Sequence, residues 1–194
     1  MNIVLFGCTE NTLHAARYLS KLGLKIDLIT ITPNKAKTNE VVDYTDLTLW
    51  KELFSSIYVS ENFNLKAKKD IEYFKNIKSL KLGFCNGWQR LIPKEILDCF
   101  TFGVFGMHGS ARNLPFGKGH SPLNWALIEG RKCFHTNLFK CQSGVDDGPI
   151  IDTCTFSINS NDTIETLHYK NTLSMCYLIQ KNLGKVLQNL TISK

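Results

Sequence analysis

The sequence lacks a long apolar run. No uninterrupted apolar stretch among its 194 residues approaches the roughly 18 residues that a membrane-spanning helix needs. The first residues, Met1 to Phe6, also lack the basic segment and the small-residue cleavage site of a secretory signal. We therefore expect no membrane span, no leader peptide and a cytoplasmic location.

Closely spaced cysteine pairs are also missing. The seven cysteines, at positions 8, 85, 99, 133, 141, 154 and 176, form no CxxC motif and no short metal-ligand spacing. Several of them stand inside apolar runs, which is typical of reduced, mostly buried thiols in a cytosolic protein. We expect neither disulfide bonds nor a metal site.

A glycine-rich phosphate loop is absent after the first predicted strand. The run NIVLFG, residues 2–7, is short and apolar, as expected of a buried parallel strand. The following turn contains only Gly7, so it matches neither a dinucleotide-binding GxGxxG motif nor a P-loop. We expect a plain turn with a helix N-cap there.

The positive charge is not concentrated on one face. The net charge is +6, and lysines are scattered through residues 66–81 and 181–194 rather than striped with aromatic residues on one face. This pattern is typical of a solvated surface, with attraction of an anionic small molecule such as a nucleotide or polyglutamate as the alternative. It predicts no nucleic-acid partner.

What the sequence contains is an alternation of short apolar runs and amphipathic segments. We predict strands at residues 2–7, 25–31, 57–59, 80–85, 136–140 and 150–158, with another ending at His108. We predict a first helix capped by Asn11 or Thr12, further helices at 47–54 and 66–77, and a short one after Pro93. Another helix is predicted from Ser121 to Gly130, and a long one from a capping box at Asp162–Glu165 toward Leu190. Residues 34–46 are predicted to be a loop. The pattern predicts an α/β fold in a single domain, 1–194, with a core of about 1–155 and a helical extension of about 162–190.

Two loops that follow apolar runs carry the best candidates for chemistry. His108 ends one run and is flanked by Gly106 and Gly109, which allow close approach of backbone or ligand. Asp146, in the sequence GVDDGP, could accept a hydrogen bond from that imidazole and fix its tautomer. Asp147 is the rival for that role, and a simple Asx turn is the alternative for both.

A second group lies in the loop Trp88-Gln89-Arg90-Leu91-Ile92-Pro93. Its flat aromatic ring, cation and aliphatic side chains suit a pocket for a planar ligand, whereas the alternative places Leu91 and Ile92 in the core under Trp88. The remaining histidines show no partner pattern and are given no role; they are His14, His120, His135 and His168.

These residues together resemble a known family. The chain is similar to the formyltransferases that use 10-formyltetrahydrofolate, a group that includes methionyl-tRNA, glycinamide ribonucleotide and nucleotide-sugar formyltransferases. The matching segments are MNIVLFG, GWQRLIPKEIL, and MHGS followed by LP, SPLNWALIEG and GVDDGPII. HGS with LP, the GKG turn and SPLNWALIEG looks closest to the sugar-amine branch.

The resemblance implies a Rossmann-like, mostly parallel sheet flanked by helices, with the formyl donor bound at the strand ends. It implies that His108 stabilises the developing oxyanion and relays a proton, while Asp146 holds His108 or a bridging water and helps to take the amine proton. It further implies folate contacts from Trp88, the main chain of Arg90, Leu91 and Ile92, and the loop with Val145 and Asp146. Ser110 and Lys118 are the expected substrate-binding residues, since Lys118 occupies the position of the family's arginine.

The chain departs from the family pattern at one catalytic position. The family's asparagine two residues before the histidine is replaced by Gly106, and loss of one oxyanion donor costs about 100- to 1,000-fold in rate. We hypothesise that Asn137 supplies the missing carboxamide; Asn113 and Asn86 are less favoured donors. The alternative is that Asn137 is an ordinary pairing or surface residue.

We expect the acceptor to be the amine of a small molecule, most plausibly a nucleotide-linked amino sugar destined for a surface polysaccharide. The glycinamide ribonucleotide branch has a phosphate loop that residues 8–11 do not supply, and the tRNA branch has a further C-terminal domain. The open alternatives are a methionyl-tRNA or other amine formyltransferase, or a folate- or nucleotide-binding protein that lost turnover with the asparagine. The predicted C-terminal helix suits either a cover for the sheet or a homodimer face.

Overall fold

The fold is taken from a computed structural model that describes residues 2–77, 80–112, 114–119 and 121–192, with side chains up to residue 184. The strands are β1 (Asn2–Phe6), β2 (Lys25–Thr30), β3 (Ser56–Val59), β4 (Leu82–Cys85), β5 (Gly103–Ser110), β6 (Cys133–Lys140) and β7 (Ile150–Ser157). The helices are α1 (Glu10–Lys21), α2 (Pro33–Thr38), α3 (Lys68–Asn76), α4 (Lys94–Leu97), α5 (Pro122–Ile128) and α6 (Ile164–Ile192), with 3-10 turns at Leu47–Leu49 and Lys51–Leu53.

The seven strands have the order β3-β2-β1-β4-β5-β6-β7. β1 pairs in parallel with β2 and β4, and β2 pairs in parallel with β3, whereas β6 and β7 are antiparallel. A mostly parallel sheet flanked by helices confirms the predicted α/β class. The chain divides into two compact units, Met1–Phe105 with Cys141–Gly144 and Gly106–Lys140 with Val145–Lys194. The predicted domain bounds stay a prediction.

In the first unit, β1 is the central strand, and its residues from Ile3 to Phe6 are at most 3% exposed. A strand buried on both faces reads as a continuous apolar run, which explains the run at the start of the chain. Phe6 stacks on Phe74 of α3 with ring centroids 5.6 Å apart and lies 5.9 Å from the ring of Phe100. These aromatic contacts hold α3 and the segment after α4 against the sheet.

Three predictions of local structure in the first unit were wrong in detail. Residues 34–46 were predicted as a loop, but α2 begins at Pro33, a position where proline costs no hydrogen bond, and Thr32 accepts from the main-chain N–H of Lys35. The cap of α1 is Thr9 rather than Asn11 or Thr12. The predicted helix at 47–54 is instead two 3-10 turns.

In the second unit, α6 packs on β6 and β7. The hydroxyl of Thr136 donates to the side-chain oxygen of Asn171 at 2.8 Å, and the side-chain amide of Asn182 donates to Asp152 at 2.9 Å. The predicted capping box was displaced by one residue, because Thr163 and Thr166 form the reciprocal pair of main-chain to side-chain hydrogen bonds. α6 begins next to this pair, at Ile164.

The cysteines are free thiols, but only Cys8 and Cys176 are buried and the other five are half-buried. The expectation that most of them are buried was therefore wrong. Within the described residues, no helix combines the length and apolar character needed to cross a membrane. The same residues contain no group of three histidine, cysteine or acidic side chains placed to hold a metal ion.

Candidate functional site

The candidate site of the second unit is built on the end of β5. His108 lies three residues after the buried Phe105, and its imidazole is 11% exposed. In α/β proteins, the carboxyl ends of strands are the usual position for binding and catalytic side chains. His108 stands near this end of its strand, as the sequence predicts.

Asp146 is the acidic partner of His108. Its Oδ2 atom lies 3.4 Å from His108 Nδ1, and its side chain is 23% exposed. Asp146 has a φ of 43°, a left-handed conformation that aspartate adopts more readily than most residues. Asp147, the rival in the sequence, is exposed. The structure therefore pairs His108 with Asp146.

The other ring nitrogen of His108 contacts the main chain of a glycine turn. Nε2 lies 3.0 Å from the carbonyl oxygen of Gly117, which can only accept a hydrogen bond. The carboxylate of Asp146 is also an acceptor, so the doubly protonated ring donates to both neighbours, whereas the singly protonated ring donates to one. The ring is thus held between two acceptors, an arrangement that suits a proton donor.

Ser110 fixes the glycine turn onto β5. Its buried hydroxyl donates to the carbonyl oxygen of Phe116 at 2.8 Å and accepts from the main-chain N–H of Arg112 at 3.2 Å. A β-carbon added at Gly117, where φ is 76°, would lie 2.1 Å from this hydroxyl. Only glycine fits there without displacing the turn. Ser110 is therefore occupied within the protein, and its predicted contact with substrate stays a prediction.

Asn137, on β6, is fully buried and is bonded at both ends of its carboxamide. Its Nδ2 donates to the main-chain carbonyl of His108 at 3.4 Å, and its Oδ1 accepts from the hydroxyl of Thr153 at 2.8 Å. An asparagine amide has two N–H donors, of which this geometry uses one. The residue is not on the surface, and its role as an oxyanion donor stays a prediction.

The other asparagine candidates differ in their surroundings. Asn113 lies outside the described residues, as does His120. Asn86 is 3% exposed, and its side-chain amide donates to the carbonyl of Asn11 at 3.3 Å, so it is committed to the packing of α1 in the first unit. Lys118 is exposed next to Gly117, as a substrate-binding cation would be.

The first unit contains the segment predicted to bind the folate. Trp88 is 6% exposed and packs edge-on against Phe6 and Phe63, with ring centroids 6.3 and 4.9 Å away. Ile92 is also 6% exposed. The alternative that places Leu91 and Ile92 in the core under Trp88 is therefore right for Ile92 but wrong for Leu91, which is exposed, and Trp88 is itself a core residue. The folate contact of Trp88 stays a prediction.

Arg90 and Leu91 lie on the surface between these two core residues. The guanidinium of Arg90 stands over the ring of Phe63 at 4.8 Å and donates to the carbonyl of Asn39 at 3.3 Å, while Leu91 is 47% exposed. Among the residues that the structure describes, nothing hydrogen-bonds to the main-chain N–H groups of Leu91 and Ile92. A ligand with polar edges, such as a pterin, could use these groups.

Two threonine side chains pack into the first turn of the first unit. The Thr12 hydroxyl donates to the carbonyl of Asn86 at 2.5 Å and accepts from the main-chain N–H of Thr9 at 3.2 Å. A β-carbon at Gly87, where φ is 81°, would lie 2.0 Å from the Thr9 hydroxyl. The turn is thus built from threonine side chains rather than from the glycines of a phosphate-binding loop.

Two partners of the site were missed by the sequence analysis. The Gly117 carbonyl is a main-chain group, which no residue type reveals, although the GKG sequence marks a turn. Thr153 faces Asn137 in the register of β6 and β7, and this register depends on the long connection between the two strands. Val145, beside Asp146 and 57% exposed, keeps its predicted folate contact as a prediction.

The sequence matches a known family over most of its length. The family model described as "Formyl transferase" matches residues 1–174. The bifunctional polymyxin resistance protein ArnA of Wigglesworthia glossinidia brevipalpis is 29% identical over 189 residues, which cover 97% of this chain and 28% of that protein. The methionyl-tRNA formyltransferase of Thermodesulfovibrio yellowstonii is 28% identical over 197 residues, covering 99% of this chain and 61% of that enzyme. The chain thus spans less than two thirds of these relatives.

Solved structures share the fold at low sequence identity. Phosphoribosylglycinamide formyltransferase from Bacillus halodurans has a TM-score of 0.71 and 22% identity, covering 96% of this chain and 95% of that chain. An N-formyltransferase from Helicobacter canadensis, in complex with folinic acid and dTDP-3-aminofucose, has a TM-score of 0.65 and 20% identity, covering 96% of this chain and 64% of that chain. These likenesses confirm the predicted Rossmann-like fold.

Proposed function

Because this chain belongs to the formyl transferase family, we propose that it transfers a formyl group from 10-formyltetrahydrofolate to the amine of a nucleotide-linked amino sugar. The observation that carries the proposal is the His108–Asp146 pair, with Nδ1 and Oδ2 3.4 Å apart at the end of β5. A protein that only binds folate has little need of such a pair. The pair therefore favours turnover over binding alone.

His108 is the proposed proton donor and oxyanion stabiliser. The amine attacks the formyl carbon, and negative charge develops on the formyl oxygen as the carbonyl bond opens. Preorganised donors at that oxygen are typically the largest contribution to acyl transfer. The ring of His108 already stands between two acceptors, and exchange of the Gly117 carbonyl for the formyl oxygen would redirect Nε2–H without moving the ring.

Asp146 is the proposed partner that keeps the imidazole in position. Its carboxylate faces Nδ1, so the opposite nitrogen is left to address the substrate. As the amine forms its bond with the formyl carbon it becomes acidic, and a carboxylate at this position helps to take its proton, directly or through water. The carbonyl then re-forms as the bond between the formyl carbon and the folate nitrogen breaks, and that nitrogen takes a proton from His108, so that tetrahydrofolate leaves and the formylated amine remains.

Binding of the folate's pterin ring is assigned to the first unit. The main-chain groups of Leu91 and Ile92, which make no hydrogen bond within the described part of the chain, fit the donor and acceptor edge of a pterin. The folate supplies an activated formyl group carried on nitrogen. We assign binding of the ring to the main chain of Arg90, Leu91 and Ile92; the folate contact of Val145 stays a separate prediction.

Asn137 is proposed to supply the carboxamide that is missing at Gly106. It already holds the main chain of His108, and the second N–H of its amide is the donor that replaces the family's asparagine. The hydroxyl of Thr153 fixes the carboxamide from the other side. This assignment requires the buried amide to reach the formyl oxygen, which alanine substitution tests.

Three observations support a nucleotide sugar as the acceptor. The first turn is built from the side chains of Thr9 and Thr12 rather than from the glycines of a phosphate-binding loop. The fold is shared with an N-formyltransferase from Helicobacter canadensis solved with dTDP-3-aminofucose. The exposed Lys118, beside the turn that contacts His108, provides a cation for an anionic substrate, with Ser110 as a second proposed contact.

The test is a turnover assay with matched variants. The protein is incubated with 10-formyltetrahydrofolate and a panel of amines, namely nucleotide amino sugars, glycinamide ribonucleotide and methionyl-tRNA, while release of tetrahydrofolate is followed. We expect turnover with a nucleotide amino sugar, and a loss of about 100- to 10,000-fold in His108→Gln, the range of a general acid or base. His168→Gln, an exposed histidine on α6, is the control and should keep full activity.

The other outcomes point to the alternative functions. Formylation of methionyl-tRNA or glycinamide ribonucleotide, without any reaction of a sugar, would retain the formyl transfer and overturn the acceptor. Tight folate binding without turnover on any amine would favour a binding protein that lost catalysis when Gly106 replaced the family's asparagine. A failure to bind folate would contradict the whole proposal.

A further inference from the structure

Helix α6 carries a row of exposed side chains along one side, with His168 exposed beside this row. Among residues 171–183, all of which the structure describes, only Leu173, Tyr177, Gln180 and Lys181 are exposed. Leu173 and Tyr177 are each 51% exposed, and Tyr169, one turn earlier, is 65% exposed. Large apolar and aromatic side chains in a continuous exposed row mark an interaction surface more often than a solvated one.

The positions in this row are spaced symmetrically about Leu173. The row comprises Glu165, Thr166, Tyr169, Leu173, Tyr177, Gln180 and Lys181, all of them exposed. Reversal about Leu173 exchanges the two tyrosines, exchanges Thr166 with Gln180, and exchanges the acidic Glu165 with the basic Lys181. Each residue is thus mapped onto a chemically complementary one.

This symmetry has a geometric meaning in a helix. Residues four apart form a ridge on the helix surface, and Glu165, Tyr169, Leu173, Tyr177 and Lys181 are successive members of one ridge. At a rise of about 1.5 Å per residue the ridge is about 24 Å long. Ridges of this type pack side by side when two helices cross at about 50°.

We propose that this ridge is the interface through which two copies of the chain associate, with their α6 helices antiparallel and related by a two-fold axis through Leu173. A two-fold interface uses the same surface of both copies, so each contact between two different residues occurs twice. On this ridge, every such contact joins residues that are chemically compatible. Leu173 meets its own copy, and Tyr169 meets Tyr177 of the second copy.

Charge complementarity supports a second copy as the occupant. Glu165 of one chain faces Lys181 of the other at both ends of the ridge. Lys181 also lies 2.8 Å from Asp152 of its own chain, but an ammonium has three donors and this side chain is 40% exposed. A parallel arrangement would instead place like charges together, so the ridge selects the antiparallel pair.

The size of the ridge predicts a reversible dimer. A standard interface uses about 20 to 30 residues from each partner, several times the seven in this row. The association should therefore depend on protein concentration. Nothing in this proposal rests on formyl transfer, so it stands or falls separately from the proposed function.

Sedimentation velocity of the 194-residue chain over a range of concentrations tests the association. The weight-average mass should rise toward twice that of the chain, and Leu173→Glu should hold it at the monomer value because two glutamates would meet on the axis. Leu49→Glu is the matched control, since Leu49 is 77% exposed on the first unit. Circular dichroism confirms that both variants are folded.

Cysteine cross-linking tests the geometry. Under mild oxidation Leu173→Cys should give a disulfide-linked dimer above the background of the unsubstituted chain, because the residue faces its own copy. Gln180→Cys should not, because residue 180 and its copy are separated by about 21 Å along the helices. Cross-linking that is equal in the two variants would overturn the two-fold axis at Leu173.

The remaining outcomes also decide the proposal. A monomer at every concentration would overturn it, as would a dimer that survives Leu173→Glu, because that dimer uses another surface. If the thiol of Leu173→Cys is protected from alkylation in a monomeric sample, another part of the polypeptide covers the ridge, and the second copy is not its occupant.

Discussion

The side-chain amide of Asn137 donates a hydrogen bond to the main-chain carbonyl of His108 at 3.4 Å. Asn137 stands on β6 and His108 on β5, so the contact links the candidate catalytic residue to the neighbouring segment. The hydroxyl of Thr153 on β7 continues the chain of hydrogen bonds to the carboxamide oxygen at 2.8 Å. The position of His108 therefore depends on two residues that do not touch its ring.

Asn137→Ala should lower kcat for formyl transfer by about 100- to 1,000-fold if the amide is an oxyanion donor. Thr153→Val should lower it less, because the amide stays in place while its oxygen loses a partner. Steady-state kinetics, with kcat and KM determined separately for each variant, measures the difference between Asn137→Ala and Thr153→Val. Unchanged turnover in Asn137→Ala, with the fold intact, would remove Asn137 from the mechanism.

The glycine turn at 117–119 offers a second prediction. Gly117→Ala places a methyl group 2.1 Å from the Ser110 hydroxyl at a φ of 76°, and it should displace the carbonyl that contacts His108. Gly119→Ala is the control, because its φ of 116° is also unfavourable but no atom lies within 4 Å of the added carbon. Both variants carry a backbone strain of about 1–3 kcal/mol.

We expect Gly117→Ala to have the lower melting temperature of the two and the lower turnover. Thermal unfolding followed by circular dichroism, together with the assay of formyl transfer, measures both effects. Equal melting temperatures for the two variants would show that the turn is not held by Ser110.

The acid stability of the protein should depend on Asp152. Burial of this carboxyl raises its pKa, but hydrogen bonds from Lys181, Asn182 and the Thr153 N–H outweigh the burial, so the pKa of Asp152 lies below the ordinary value of 3.8. The unfolded chain therefore binds the proton more readily than the folded protein. The resulting stability is present above the unfolded pKa and is lost as pH falls through the folded pKa.

Asp152→Asn should lower the free energy of unfolding at neutral pH by about 1–3 kcal/mol, the range for hydrogen bonds to a charged group. It should also flatten the decline of the melting temperature between neutral pH and about pH 3. Asp98→Asn, at an exposed surface pair with Lys94, is the control. An acid decline that is the same in Asp152→Asn and the parent protein would contradict this account.

Strand positions followed from the sequence because buried parallel strands read as short apolar runs. β1 and β2 each lie within one residue of their predicted bounds. Helix ends were harder to predict, since a cap depends on which side chain bonds to which main-chain N–H. At α6, Thr163 and Thr166 form the reciprocal pair, although the sequence suggested Asp162 and Glu165. α2 was missed because the polar residues 34–46 were predicted as a loop, although Pro33 can occupy the first turn of a helix.

The site was predictable where side chains carry the chemistry. The pairing of His108 with Asp146 was predicted, and the geometry chose Asp146 over Asp147. The loop from Trp88 to Ile92 was left between a pocket and a core of Leu91 and Ile92 under Trp88, and neither alternative predicted that Trp88 is buried while Leu91 is exposed. The Gly117 carbonyl and the Thr153 hydroxyl could not be predicted, because main-chain groups and cross-strand register leave no mark at a single position.

The most direct test of the proposed function compares Asp146→Asn with Asp147→Asn. The two residues are neighbours of the same type, but only Asp146 lies within 4 Å of the His108 ring. The initial rate of tetrahydrofolate release from 10-formyltetrahydrofolate is measured with the amine substrate, and the N-formyl product is identified by mass spectrometry. The proposal predicts a loss of at least about 100-fold in Asp146→Asn and a near-normal rate in Asp147→Asn. Equal rates in the two variants, or a full rate in Asp146→Asn, would contradict it.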